Sequence, residues 1–343
     1  MLYRSIIRPL LFLFPTEFVH YFTMNSLNIL QAFPPSRWIL KALFFSRRPE
    51  DQVEVFGLNF PNRVGLAAGF DKDARFMHAL STIGFGFIEV GTVTPRPQGG
   101  NPKPRLFRLK KDNALINRMG FNNRGLDAMI EKLKNRPRNV IIGGNIGKNK
   151  DTPNEKAVDD YVKCFNGLHP YVDYFVVNVS PPNTPGLREL QEKGPLLAIL
   201  NKLQSEAGQY EIQRPILLKI APDLTDSQLD DIVEIVVESD IDGVIATNTT
   251  ISRDGLKTSS EQVNEIGNGG LSGRPVRTRA TEVVKYLCDR ADGRFKVIGV
   301  GGIHDSTSAQ EKLDAGAKLI QVYSGFIFEG PSMVSNIIKG ARN

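Results

Sequence analysis

The sequence predicts a (β/α)8 barrel preceded by a short helical extension. After residue 50, eight short apolar runs rich in Val and Ile alternate with longer stretches of helical pattern. Strands that alternate with helices form parallel sheets, and eight such units close into a barrel. The 343 residues are enough for one barrel with additions. The predicted strands are 63–70, 87–94, 140–147, 174–179, 215–221, 243–249, 296–302 and 318–324.

Two insertions interrupt this alternation. Residues 52–60 alternate apolar and polar side chains, which predicts a small hairpin below the barrel. Residues 104–118 have the pattern of an extended ribbon inserted after the second strand.

The N-terminal segment, residues 1–48, accounts for most of the net positive charge. Its net charge is +5, from Arg4, Arg8, Arg37, Lys41, Arg47 and Arg48 against Glu17, whereas the chain as a whole carries +6. The remaining residues are therefore nearly neutral, which argues against a nucleic-acid groove in the barrel.

The same segment is rich in large apolar side chains. Leu11, Phe14, Phe18 and Phe22 recur at helical spacing, and a second apolar stripe follows Pro34-Pro35. This predicts two short amphipathic helices joined by a proline turn. Arg8, Pro15, Glu17 and His20 interrupt the apolar run before it reaches the ~20 residues of a transmembrane helix. Aromatic residues with basic flanks favour a segment lying in an anionic membrane surface, and helices that only cover one end of the barrel are the alternative.

Polar residues stand where the predicted strands end, which in a barrel is the active-site face. They are Gly69 to Lys72, Thr92, Asn145, Asn178 and Thr247 to Thr249, while Lys219 interrupts the fifth strand. Amides donate and accept along the edge of a heterocycle, and a lysine in apolar surroundings favours a neighbouring anion. The set contains no carboxylate pair, metal-ligand set or Ser/His/Asp constellation. The rigid polar loop 178–188, which follows the fourth strand, is a candidate active-site loop.

The last two strands indicate a phosphate site. Gly301-Gly302 leads the seventh strand into a helix, and Tyr323-Ser324-Gly325 ends the eighth. Bare backbone N–H groups at a helix start favour an anion. Together with Lys219 and the amides, this predicts a flavin mononucleotide (FMN) site with a small anionic substrate stacked on the flavin. A phosphate-binding barrel without flavin, such as an isomerase, is an alternative, but it would need neither Lys219 nor the asparagines.

Seven motifs together resemble dihydroorotate dehydrogenase, and the resemblance covers essentially the whole chain. The N-terminal helices resemble those of the class 2, quinone-dependent, membrane-associated form. The motifs are AGFDK at 68–72, NRMGF at 117–121, GNIGKN at 144–149, NTPGLR at 183–188, KIAPD at 219–223, GLSGRP at 270–275 and GVGGI at 299–303.

The resemblance implies oxidation of (S)-dihydroorotate to orotate in pyrimidine biosynthesis, with FMN as hydride acceptor and a quinone as final acceptor. Residues 1–48 would form the membrane-associating quinone entrance, and residues 49–343 the catalytic barrel. It further implies a monomer or weak homo-oligomer, bound peripherally to the cytoplasmic face of a bacterial inner membrane.

The resemblance also assigns residues to each ligand. Those for FMN are Ala68, Gly69, Phe70, Asp71, Lys72, Thr92, Asn145, Asn178, Lys219, Thr247, Gly273, Gly302, Tyr323 and Ser324. Those for the substrate are Lys72, Asn117, Arg118, Met119, Gly120, Phe121, Asn178, Asn183, Asn248 and Thr249.

One position departs from the class 2 pattern Asn-x-Ser-Ser-Pro-Asn, in which the second serine is the base. Pro181 stands there, and proline has no proton-accepting side chain. Ser180 is a doubtful substitute because it lies one residue away. Three interpretations stay open: an altered position in an active enzyme, a shifted loop in which Ser180 or a water held by Thr184 acts, or a slow enzyme.

Two alternatives follow from the resemblance. A soluble class 1 form would lack residues 1–45 and would carry a cysteine base, whereas Cys164 and Cys288 lie outside the loop. A catalytically weak, membrane-tethered flavin-binding protein is the other, and Pro181 is the residue that supports it.

Overall fold

The structure is a computed structural model that describes residues 2–46, 49–179 and 189–341. Its strands are β1 Val53–Val55, β2 Leu58–Phe60, β3 Val64–Asp71, β4 Phe87–Val93, β5 Leu106–Leu109, β6 Ala114–Asn117, β7 Ile141–Ile146, β8 Tyr174–Asn178, β9 Ile216–Ile220, β10 Gly243–Ala246, β11 Gly270–Gly273, β12 Lys296–Val300 and β13 Leu319–Val322.

The helices begin near the N-terminus and then alternate with the strands. They are α1 Arg8–Leu11, α2 Thr16–Ala32, α3 Pro34–Phe44, α4 Met77–Ser81, α5 Leu126–Leu133, α6 Ala157–Leu168, α7 Lys193–Ala207, α8 Asp226–Glu238, α9 Ser260–Ile266, α10 Arg277–Ala291, α11 Ser306–Asp314, α12 Ser324–Glu329 and α13 Ser332–Gly340.

Eight parallel strands close into the predicted barrel. Each of β3, β4, β7, β8, β9, β10, β12 and β13 pairs with the next, and β13 pairs back with β3. Helices cover the outer face, so both faces of the strands are buried, as throughout β4. The fold class is confirmed, including all eight strands.

Several predicted strands are shorter than expected at their carboxyl ends. The sixth ends at Ala246, so residues 247–249 follow the strand. The seventh ends at Val300, and the two glycines that follow it, Gly301 and Gly302, turn the chain with φ values of +118° and +71°. The eighth ends at Val322, and Ser324 already begins α12.

Both predicted insertions are present. The hairpin β1–β2 closes the bottom of the barrel, where Phe60 meets the ring of Phe87 edge to face at 5.3 Å. The ribbon is β5–β6, which the sequence indicated, but β11 joins it as a third antiparallel strand that was not predicted.

The N-terminal segment contains the two predicted helices, α2 and α3, with Pro34 as the first residue of α3. The expected first helix was wrong in one respect, because Leu11 ends α1 and Pro15 precedes α2. Proline fixes the break since it is favoured at a helix start and disrupts a helix interior. In the described part of the chain, none of the helices combines the length and apolar character needed to cross a bilayer.

Candidate active site

A cavity opens at the carboxyl ends of the barrel strands. Segments from β3, β9, β10, β12 and β13 line it, and the ribbon and β11 cover one side. The predicted site residues in its wall are Ala68, Gly69, Lys72, Thr92, Asn117, Met119, Gly120, Phe121, Asn178, Lys219, Thr247, Asn248, Thr249, Gly273, Gly302, Tyr323 and Ser324. Residues far apart in sequence thus meet because parallel strands bring all their carboxyl ends to one face.

The side chain of Arg118 points away from this cavity. Its guanidinium donates to the carbonyl oxygens of Ile266 at 2.9 Å and Pro104 at 3.2 Å, and it lies over the Phe107 ring. These contacts anchor the ribbon, so a role of Arg118 in holding substrate is limited to its backbone.

Phe70 and Asp71 also lie outside the cavity wall. The Phe70 ring meets the Tyr323 ring edge to face at 5.6 Å. The Asp71 carboxylate accepts the backbone N–H groups of Arg75 and Phe76, both at 2.8 Å. Burial raises the pKa of Asp71 to about 7, although both hydrogen bonds oppose the shift. Asp71 therefore fixes the turn after β3.

Ser180, Pro181 and Asn183 lie outside the described residues, as does most of the candidate loop 178–188.

A continuous row of side-chain hydrogen bonds crosses one wall of the cavity. Asn248 Nδ2 donates to Asn178 Oδ1 at 3.4 Å, and Asn178 Nδ2 donates to Thr92 Oγ1 at 2.9 Å. Thr92 Oγ1 donates in turn to Asn145 Oδ1 at 2.5 Å, and Asn145 Nδ2 donates to Glu89 Oε1 at 2.7 Å. Asn145 is fully buried and supports the row from below rather than lining the cavity.

Sequence analysis missed Glu89 and Gln321. The Lys219 ammonium lies 3.3 Å from the Glu89 carboxylate, which also accepts a hydrogen bond from Gln321 Nε2 at 2.5 Å. A charge this deeply buried requires a partner. The sequence does carry a signal for both residues, because each is a polar residue that interrupts a buried apolar strand, as Lys219 does.

The cavity wall also includes the turn after β12, where Gly302 packs closely against Arg277 at the start of α10. A Cβ atom at Gly302 would lie 2.4 Å from Arg277, so only glycine fits there. Beside it the hydroxyls of Ser272 and Ser324 are 2.8 Å apart. The backbone N–H groups of this glycine turn and the two hydroxyls are donors of the kind that bind a phosphate.

Lys72 adds a cation on the side of the amide row. Its ammonium donates to Asn122 Oδ1 at 2.9 Å. Burial, and then the positive charge of Arg105, lowers the pKa of Lys72 to about 8. A ligand carboxylate beside Lys72 would stabilise its protonated form.

A second, largely apolar cavity of about 370 Å³ lies between the N-terminal helices and the barrel. It shares Gly69, Lys72, Met119 and Tyr323 with the first cavity. These four residues therefore belong to a wall that the two cavities share.

A few polar groups interrupt the apolar wall of this second cavity. Arg105 donates to both carboxylate oxygens of Glu17, at 2.9 Å and 3.2 Å. The His20 ring meets the Phe70 ring edge to face at 4.9 Å. Burial, and then the charge of Lys72, lowers the pKa of His20 to about 4, so this imidazole is neutral at neutral pH.

A closed barrel with a polar cavity at its strand ends is typical of a barrel enzyme, and here an apolar cavity adjoins the polar one. Residues 51–343 match the family model described as "Dihydroorotate dehydrogenase". The chain belongs to the dihydroorotate dehydrogenase family, which confirms the expected family.

Similar proteins match over nearly the full length. The chain is 59% identical to "Dihydroorotate dehydrogenase (quinone)" of Christiangramia forsetii, over 98% of this chain and 97% of that protein. It is 47% identical to the protein of the same name from Idiomarina loihiensis, over 97% and 98%. The crystal structure of DHODH from Eimeria tenella in complex with ferulenol superposes with a TM-score of 0.83 and 37% identity, covering 94% of this chain and 90% of that one.

Proposed function

We propose that this chain binds FMN in the barrel cavity, oxidises (S)-dihydroorotate to orotate, and passes the electrons to a quinone in the second cavity. The single observation that carries the proposal is the shared wall between a polar cavity and an apolar one. The names of the relatives support both the dehydrogenase reaction and the quinone acceptor.

The residues present fit FMN. The Gly302 region with Ser272 and Ser324 offers donors for the phosphate, while Lys219 and the amide row suit the edge of the flavin ring. When bound, the flavin supplies two-electron chemistry, by accepting a hydride from C6 of dihydroorotate and returning the electrons to the quinone.

The residues around Lys72 would hold the substrate. Its ammonium offers a cation for the substrate carboxylate, and Asn117 and Asn248 stand in the same wall. The amides would orient the substrate ring towards the cofactor, and such positioning lowers the entropic part of the barrier.

The group that accepts the C5 proton is assigned from the sequence alone. Pro181 occupies the family's base position, which leaves Ser180 or a water held by Thr184. A positioned base contributes ~10²–10⁴-fold to such a rate. We therefore expect slower reduction of the flavin than a serine at position 181 would support.

The N-terminal segment is proposed to bind peripherally to the cytoplasmic face of a bacterial inner membrane. The protein is proposed to be a monomer or a weak homo-oligomer. Large apolar side chains that remain solvent-exposed are concentrated there, and lipid would cover them. They are Leu2, Ile6, Ile7, Leu10, Leu13, Phe14, Phe18, Phe22, Ile29, Leu30, Phe33, Trp38, Ile39 and Leu43.

Anaerobic stopped-flow spectroscopy tests the proposal. Purified protein should be yellow, dihydroorotate should bleach the flavin, and a quinone in detergent micelles should restore its colour. Fumarate and NAD are the control acceptors, because a class 1 enzyme would use one of them. A colourless preparation, or a flavin that dihydroorotate leaves oxidised, would refute the proposed reaction.

A further inference from the structure

Glu89 lies at the centre of a polar layer inside the barrel, beneath the cavity. It sits in the middle of β4 and is fully buried. Its carboxylate accepts hydrogen bonds from three other strands: Asn145 of β7 at 2.7 Å, Lys219 of β9 at 3.3 Å and Gln321 of β13 at 2.5 Å. A carboxylate suits this position because it accepts hydrogen bonds and here faces three donor groups.

The charge of Glu89 compensates that of Lys219. The Lys219 side chain is 6% exposed and lines the cavity, whereas the Glu89 side chain is 0% exposed and does not line it. A ligand above Lys219 therefore experiences a cation whose field is reduced by the carboxylate below it.

Glu89 also sets the direction of the amide row. An ionised carboxylate only accepts, so Asn145 must turn its NH2 group towards Glu89 and its oxygen towards Thr92. The Thr92 hydroxyl then donates to Asn145 and accepts from Asn178, which leaves the Asn178 oxygen for Asn248. Replacing the carboxylate by a group that can donate removes the constraint that orients all four side chains.

We propose that Glu89 is a positioning residue that sets the reduction potential of the cofactor through Lys219 and the amide row. The inference rests on the proposed FMN site. Reduction adds negative charge to the flavin, and a nearby cation stabilises that charge. With Glu89 in place the cation is partly neutralised, which keeps the potential lower than Lys219 alone would make it.

Potentiometric titration of the purified holoprotein against reference dyes tests this role. Glu89→Gln keeps the size of the side chain and removes its charge. We expect the reduced flavin to be favoured at least tenfold more than in the wild type, a rise of about 30 mV for a two-electron couple. Glu89→Asp, which retains the charge, should have a potential close to that of the wild type.

Two further variants separate an electrostatic role from a packing role. Ile298→Val removes a methylene from the barrel interior without touching a polar group, and its potential should match the wild type. In a Lys219→Met background, adding Glu89→Gln should shift the potential by less than half as much as it does in the wild type. The part of the effect that Lys219 transmits is absent from that background.

The outcomes are distinguishable. A Glu89→Gln protein that retains flavin with the wild-type potential overturns the inference, as does an Ile298→Val protein that shifts equally. If Glu89→Gln loses flavin while Glu89→Asp keeps it, the potential of Glu89→Gln is measured with excess FMN present, and a wild-type value there overturns the inference as well. If both variants lose flavin and Ile298→Val keeps it, the inference is overturned, because charge is then not the property that matters. A wild-type protein without flavin would instead refute the proposed function itself.

Discussion

The affinity for orotate should fall as pH rises through the pKa of Lys72. This lysine is half-buried in the cavity wall, and desolvation lowers its pKa to about 8 from an ordinary value near 10.5. The ammonium form, which pairs with the ligand carboxylate, is complete well below pH ~8 and is lost above it. Because only the protonated fraction binds tightly, apparent affinity should drop about tenfold for each pH unit beyond the pKa.

Lys72→Met gives the size of the contact itself. Removing one partner of a buried, hydrogen-bonded charge pair costs about 2–5 kcal/mol, so orotate should bind at least about thirtyfold more weakly at pH ~7. The variant should also lose the pH dependence, because the titrating group is absent.

Titration of orotate into the oxidised holoprotein, followed by the flavin absorbance from pH ~6 to ~10, measures both effects. Lys72→Arg is the matched control, since a guanidinium stays charged over this range. A flat affinity in the wild type would refute the reasoning. A step that persists in Lys72→Arg would assign the titration to the ligand or the flavin instead.

Three other changes have defined outcomes. Pro181→Ser should raise the rate of flavin reduction by dihydroorotate at least about tenfold in anaerobic stopped-flow, because it restores a candidate base; equal single-turnover rates would contradict this. Trp38→Asp, at a residue that is 74% exposed, should weaken binding to anionic vesicles at least about tenfold in co-sedimentation. Ile212→Asp, at a barrel residue that is 61% exposed, should leave that binding unchanged, and equal losses would count against the proposed membrane surface. Gly302→Ala should abolish flavin retention on gel filtration, because its Cβ would lie 2.4 Å from the nearest atom. Gly293→Ala, also at positive φ but with open space around it, should keep its flavin, and retention by both variants would show that the crowding at Gly302 is tolerated.

The barrel could be predicted because its strands carry their signal locally. Each apolar run is short, ends in a polar residue or glycine and is followed by a helical pattern, and parallel strands buried on both faces require that composition. Their last residues could not be fixed, because the seventh strand stops where the chain turns through Gly301 and Gly302, and the apolar pattern does not mark that turn.

The missed strand β11 shows what local patterns cannot provide. Gly270–Gly273 is four residues long with two glycines, so it has little strand propensity of its own. It is a strand because Gly270 to Gly273 pair with Asn117 to Ala114, about 150 positions earlier in the chain. Only the closed barrel brings these segments together.

Glu89 was overlooked for a related reason. A single glutamate in an apolar run has no local partner, and its role depends on inward-facing residues of three other strands. Lys219 was identified from the same kind of interruption because a buried lysine suggested an anionic ligand. The structure gives it an anionic partner within the protein, so the cavity side of Lys219 and its barrel side must be considered together.

The shared wall of the two cavities relates the polar layer around Glu89 to electron transfer. Gly69 has φ of +91°, and a Cβ there would point at the Tyr323 ring 3.6 Å away, into the boundary of the two spaces. A flavin held above Lys219 would therefore meet the substrate on the side of the amide row and the quinone on the side of Tyr323. Because the two ligands would occupy different cavities, they need not compete for space, and the potential set by Glu89 would govern both halves of the reaction in opposite directions. A higher potential favours oxidation of dihydroorotate and disfavours reduction of the quinone, so a partly neutralised Lys219 suits an enzyme that must do both.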